Sequence, residues 1–470
     1  MRASITAENA GVPSASLVTE GFIKQGQSTA NGSGMPYLPL AEIPGHTDMF
    51  SDETFEKIIT DVTLDQVIDA LIAQPKEVVK TSEPNPGDVI FSGGFEDVNR
   101  FFYQNNWQEG IPIIPPTREK VDQFLKFTYR SADEVIGVLL PDKREATVLN
   151  TAINGVMAGC RPEYMPVLIA LVEVLSDPDY GVEHSSNTPG AEALITINGP
   201  IIKALKFNYT QGALRVGFQA NTSIGRFFRL YLRNVAGFLP HETDKGTFGN
   251  TFRVVLAENE DALTKIGWKP TSFYQGFDPG ENVVTISRYT SGGVIVSVYG
   301  STAEQVLPYL CDGLVKHIGW ELIFTSGTKG NPGFACTQKP HLILSPCIAE
   351  VIAKSGYSKQ DVQIYLYEHA RISASKFEQI HLWMHAIKVD LGELVESGIA
   401  PSVFAESADP DRMVPVVCKP EDFLITVSGD PLRNNAYALI SNGCLGYTTS
   451  KKIELPNDWD DLLKEAETAR

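Results

Sequence analysis

A chain of 470 residues with 43% hydrophobic and 20% charged content is long enough for two or three domains and has an ordinary globular composition. Its formal net charge of −18 excludes non-specific binding to nucleic acid or to an anionic membrane, because both need a basic face. The longest apolar stretch, Met165 to Leu175, is interrupted by Glu173 and is too short to cross a bilayer.

The first 82 residues read as a small Rossmann-like α/β half-domain. "RASITAENAG" is helical and stops at Gly11; "VPSASLVTEGF" and "MPYLPLAEIPGH" are strand-like; "SDETFEKIITDVTLDQVIDALIAQ" opens on a Ser-x-x-Thr turn and spaces its apolar residues by three and four. Two or three strands make a thin core, so a partner chain is expected to complete the sheet. Residues 83–97, rich in Pro, Gly and Ser, form the linker, and an α/β main domain with a mixed sheet runs from 98 to 470.

In the main domain, helices are expected at 145–157, 162–176, 222–234, 302–318, 347–355, 358–370, 374–398 and 459–469. Strands are expected at 193–199, 250–260, 282–289, 293–300, 341–346 and 422–429, with a hairpin through Ser291-Gly292-Gly293. The alternation marks an α/β fold rather than a sandwich or a helical bundle.

Several residues could carry chemistry. In "NGVMAGCRPEYMPVLIALVEVL", Pro162 marks a helix start and Arg161 its cap, so Cys160 lies near a positive dipole end and beside a guanidinium. Both favour thiolate and predict a lowered pKa; packing of a buried free cysteine is the competing reading. In "ANTSIGRFFRLYLRN", Asn221, Thr222 or Ser223 caps a helix near Ile224, and Arg226, Arg229 and Arg233 share one stripe suited to an anion or to surface ion pairs. Glu258 and Asn259 end an apolar run at a strand edge, where a carboxylate serves as acid or base or as a solvated turn. Asn154 is a polar orienter beside Cys160.

Weaker signals are the glycine-bearing loop 324–339, which lacks P-loop spacing, the pair His381 and His385, and His184 in a polar loop. The six cysteines, at 160, 311, 336, 347, 418 and 444, show no CxxC. No zinc ribbon is written, and reduced thiols in the cytoplasm are expected.

Taken in order, "EGIPIIPPTREKVDQFL", "NGVMAGCRPEY", "ITINGPI", "IGRFFRLYLRN", "VLAENED" and "AKSGYSKQDVQIYLYEHARI" resemble the UGSC-type (seleno)protein family, related to selenoprotein B-like proteins of the glycine, sarcosine and betaine reductases. The amino-terminal unit is similar to the second half of that family's small domain; the first half, with its U/C-G-S-C motif, has no counterpart here. The resemblance implies a second subunit that supplies the missing strands and a reactive cysteine or selenocysteine, with Thr19 and Glu20 at the shared junction. It also implies departures: Thr247-Phe248-Gly249 stands where the family has Thr-His-Gly, and Cys347-Ile348-Ala349 where it has Glu-His-Ala.

The expected function is a subunit of a heteromeric enzyme with thiol-dependent lyase or reductive C–X cleavage chemistry on a small anionic or carbonyl-bearing substrate. Cys160 and Glu258 are its catalytic candidates, and Asn154, Asn221, Arg226, Arg229 and Asn259 its substrate-binding ones. Two alternatives stay open: a metal-dependent hydratase or hydrolase with the metal on Cys160, and a non-catalytic scaffold subunit.

Overall fold

Alternating burial over Ser16–Thr19 and Leu40–Ile43 makes two short strands, β1 and β2, which the computed structural model pairs in parallel, Ser16 opposite Leu40 and Thr19 opposite Ile43. Parallel neighbours need a crossover, and the helix Ile23–Gly32 supplies it. Ser51 caps the next helix, Asp52–Ile58, by accepting from the Thr54 amide at 3.2 Å. The structure describes residues 1–73, 85, 87–251, 253–317, 339–385, 388–441 and 446–468.

The remaining strands are β3 (Val135–Leu139), β4 (Arg144–Thr147), β5 (Glu192–Asn198), β6 (Leu256–Ala257), β7 (Val283–Ile295), β8 (His341–Leu344), β9 (Arg371–Ser373), β10 (Met413–Pro415), β11 (Leu424–Val427), β12 (Ala436–Ser441) and β13 (Thr449–Lys452). Seven of them form one mixed sheet in the order β11-β8-β12-β7-β5-β6, with β13 also on β7. The β11–β8 and β5–β6 pairs are parallel and the rest antiparallel. The α/β class with a mixed sheet is therefore what the chain adopts.

One core packs the helices Val148–Met157, Met165–Ser176 and Gln219–Asn234 against β5 and β7; a second gathers Ala303–Val315, Pro346–Lys354 and Lys359–His369 around β8, β11 and β12. The helix Met165–Ser176 is buried nearly all round. Its Glu173 is tolerated because Arg130 meets it at 2.6 Å.

Four expectations are corrected. The hairpin at Ser291-Gly292-Gly293 does not form, since β7 runs straight through it. The glycines serve close approach: a Cβ on Gly292 would stand 2.6 Å from the Ala438 carbonyl oxygen of β12. The strand at 250–260 shrinks to β6, because the backbone of Val255 is bonded to Asn221 rather than to a strand, N–H to the Asn221 oxygen at 2.9 Å and its own oxygen to Asn221 Nδ2 at 2.7 Å. The helix at 374–398 is two, Ala374–His385 and Leu391–Glu396, the second started by Asp390 Oδ1 accepting from the amides of Gly392 and Glu393. Finally, Cys418 is disulfide-bonded, while Cys160, Cys311 and Cys347 are free thiols, so the thiols are not uniformly reduced. No helix among the described residues is long and apolar enough to cross a membrane.

Candidate functional site

Cys160 occupies the position its neighbours dictate. Gly159, at φ +78, turns the chain out of the helix Val148–Met157, and the turn Pro162–Tyr164 leads into Met165–Ser176. The chemistry differs from expectation. The sulfur packs against the first core, and that burial pushes the thiol up to about 12, outweighing a hydrogen bond with Ser223 and the nearby charge of Arg226. A dipole end and a guanidinium lower a thiol only where water can still solvate the thiolate. The metal role raised for Cys160 also lacks a ligand set: among the described residues no three His, Cys, Asp or Glu side chains gather closely enough to hold an ion.

Alkylation tests this directly. With the thiol near 12, the neutral-pH thiolate fraction is about a thousandfold below that of a free cysteine, offset in part by greater intrinsic nucleophilicity. Iodoacetamide should therefore modify Cys160 at least about tenfold more slowly than an exposed cysteine, read by mass spectrometry of the modified peptide. Labelling at the rate of a free thiol would restore the low-pKa reading.

The arginine stripe is spent on the fold. The helix Gln219–Asn234 starts earlier than expected, with Phe218 as its cap residue, which places Asn221 inside the first turn. Arg226 Nε donates to the Glu109 carboxylate and Nη2 to the carbonyls of Ile111 and Pro112 at 2.9 and 3.0 Å. Arg229 pairs with Asp244 and approaches Glu192 at 3.8 Å. Arg233 Nε donates to the Asn106 carbonyl at 2.7 Å.

The asparagines are likewise engaged. Asn221 Nδ2 bonds the carbonyls of Asn208 and Val255 while its oxygen accepts from the Asn208 amide. Asn259 caps the helix Glu260–Ile266. Asn154 Nδ2 donates to the Asn150 carbonyl at 2.9 Å and its oxygen accepts from Asn234 at 2.8 Å. Asn221, Arg226, Arg229 and Asn259, read as substrate-binding residues, are each bonded within the protein.

Glu258, just past β6, is fully buried. Its carboxylate accepts from Asn198 Nδ2 at 2.7 Å, the Thr271 amide at 2.6 Å, Thr271 Oγ1 at 3.0 Å and the Val427 amide at 3.2 Å, and it pairs with the equally buried Lys359 at 3.1 Å. Beside this pair His341 bonds Thr426 and Tyr289, and burial pushes its imidazole down to about 3, with the charge of Lys359 adding to the push. Saturated by these donors, the Glu258 carboxylate ties together the elements at this end of the sheet. Lys359 escaped the sequence reading because it follows Ser358 in an ordinary capping box, which gives no sign of a buried charge.

His381 is buried against the Phe377 ring, and the His385 side chain and loop residues 324–338 lie outside the described parts.

A further open cavity lies at the seam between the amino-terminal unit and the rest of the chain. A cavity of about 720 Å³ is lined by Thr19 at the end of β1, by Arg2, Thr6 and Gln25, and across the seam by Lys143 and His184. The seam is held by Arg2 on Glu183 at 2.6 Å, by the Ser28 hydroxyl on Asp142 and by Lys245 over the Phe22 ring at 5.8 Å. Burial pushes the His184 imidazole below its ordinary range; Glu183 opposes the push, and Arg288 and Arg2 add to it. His184 thus lines, as a neutral base or acceptor, a hollow that also carries Lys143 and the Arg2–Glu183 pair. Glu20, by contrast, points out and accepts from the Gly45 amide at 3.0 Å.

Comparison with known proteins gives one match: the model of the UGSC family fits residues 1–73. No curated protein and no solved structure matches the chain.

Proposed function

We propose, from the fit of the UGSC family model to residues 1–73, that the chain is one subunit of a heteromeric, thiol-dependent enzyme of the cytoplasm whose site is the seam cavity. The observation that carries this reading is that Thr19, at the end of a parallel sheet of only two strands, and His184, from the main domain, line the same cavity. Each of those strands has one edge unpaired among the described residues, and Leu17 of β1 is 57% exposed. A pair of strands with open edges accepts further strands by main-chain hydrogen bonding. A partner that adds them brings its own strand ends, with the cysteine or selenocysteine of the implied motif, to the rim beside Thr19.

The chain's own groups then have distinct tasks. Lys143 favours a small anionic or carbonyl-bearing substrate, Arg2 being held by Glu183, and neutral His184 takes or returns a proton. In a lyase reaction His184 removes the proton and the leaving group departs with the bonding pair. In reductive cleavage the partner's two chalcogen groups close to a bridge and give up two electrons; the C–X bond breaks, carbon gains hydrogen and HX leaves, after which an external dithiol reopens the bridge. Cys160 takes no part in either.

In the complex purified from its source, His184→Ala should lower turnover by about 10²–10⁴-fold, the range for a lost general acid–base, and Cys160→Ser should leave it unchanged. The opposite order of effects would move the chemistry from the seam to the 160 turn.

A further inference from the structure

We infer that the second polypeptide joins the amino-terminal unit at one edge only: an extended segment of it, flanked by acidic residues, pairs with the outer edge of β1, while the edge of β2 is shut. This rests on the heteromeric reading above and adds where the partner docks. The two unpaired edges are not alike. Ser16 donates its amide to the Pro39 carbonyl at 3.1 Å, on the side of β2, and successive residues of a strand turn their backbone groups to opposite sides. Leu17 and Thr19 therefore face away from β2. Their amides have no acceptor among the described residues. On β2 the outward residue is Glu42, and both its backbone groups are taken. Gln66 Oε1 accepts from its amide at 2.9 Å, and the Thr63 hydroxyl donates to its carbonyl at 3.0 Å. Thr63 ends the π turn Ile59–Thr63, which leads into the helix Leu64–Ile72 that carries Gln66. Side chains thus close β2 where a strand would otherwise add.

Proteins blunt an unwanted edge with a charge, a proline or a bulge, because a bare one recruits strands. β1 has none of these: it reads Ser-Leu-Val-Thr in unbroken register, with Leu17 exposed on it. Leu17, Val18 and Thr19 line the seam hollow of about 720 Å³, and an added strand would lie about 4.8 Å from β1. Charge selects the occupant. Glu183 is taken by Arg2, Asp142 by Ser28 and Asp244 by Arg229. Lys143, which lines the hollow, and Lys245, over the Phe22 ring, have no carboxylate within ion-pair distance among the described residues. A second copy of this chain would bring the same unpaired lysines to the edge; a strand flanked by Asp or Glu complements them.

Amide hydrogen exchange read residue by residue, first on the free full-length chain and then on the complex from its native source, tests the edge. In the free chain the Leu17 and Thr19 amides should exchange at least about tenfold faster than Glu42, and in the complex both should become protected while Glu42 stays as it was. Leu17→Pro removes only an outward donor, so its circular dichroism spectrum should match the wild type while the co-purifying partner falls about tenfold or more. Equal exchange of Leu17, Thr19 and Glu42 in the free chain overturns the difference between the edges. A complex in which protection appears at Leu40 while Leu17 and Thr19 still exchange overturns this inference and leaves the heteromeric reading standing. Protection of Leu17 and Thr19 by self-association overturns the choice of partner, and a chain that stays alone overturns both readings.

Discussion

Glu258→Ala should lower unfolding stability by about 3–5 kcal/mol, the cost of leaving one partner of a buried ion pair alone. Both Glu258 and Lys359 are essentially without solvent contact, so Lys359 would face a dry interior, and the Asn198, Thr271 and Val427 donors would lose their acceptor together. Lys359→Met should cost a similar amount for the mirrored reason. The double variant Glu258→Leu/Lys359→Met should recover part of the loss, because no charge then remains buried. Denaturant midpoints read all three. A Glu258→Ala protein as stable as the wild type but inactive would instead make Glu258 the acid or base that the sequence suggested.

Arg229→Ala is the second large effect, about 3 kcal/mol by the same reasoning, because two carboxylates depend on that one guanidinium. Asp244 is bonded to it directly and Glu192, 4% exposed, lies 3.8 Å away. Burial already holds the Glu192 carboxyl above its ordinary range, and Arg229 is the largest influence pulling it back. Without Arg229 the folded form keeps a proton that the unfolded chain releases. The penalty therefore grows as pH rises above about 4, the unperturbed carboxyl value, and fades in acid. Thermal denaturation across pH measures it. Unchanged stability with weakened ligand binding would return Arg229 to the role of anion holder.

Those two variants also mark how far the sequence could be read. Element type was legible wherever period and punctuation agreed. Pro162 began a helical turn, Ser51 capped Asp52–Ile58, and the apolar runs at 193–199, 341–346 and 422–429 became strands of the main sheet. It failed where tertiary partners overrode local pattern. Gly292 resembled a turn but lets β12 approach, and Val255, in the apolar run before β6, is held by Asn221 rather than by a strand. β3, β4, β9, β10, β12 and β13 went unread.

Side-chain partners were the least legible level. The arginine spacing at 226, 229 and 233 correctly placed one face of a helix, but Glu109, Asp244 and Asn106, which occupy it, are remote or weakly marked in sequence. For Cys160 the nearby guanidinium is Arg226 rather than the adjacent Arg161 that the sequence pointed to, and the desolvation that outweighs it was not legible. Thr19 and His184 are 165 positions apart, and only the docking of the amino-terminal unit brings them to one cavity.

The most direct test is to purify the protein from its native source under non-denaturing conditions and identify what accompanies it by mass spectrometry with cross-linking. A second polypeptide should co-purify in fixed stoichiometry, carry a cysteine or selenocysteine pair, and cross-link to the segment that includes β1 and β2. A chain that elutes alone and turns over substrate unaided would contradict the two-stranded seam as a shared catalytic site.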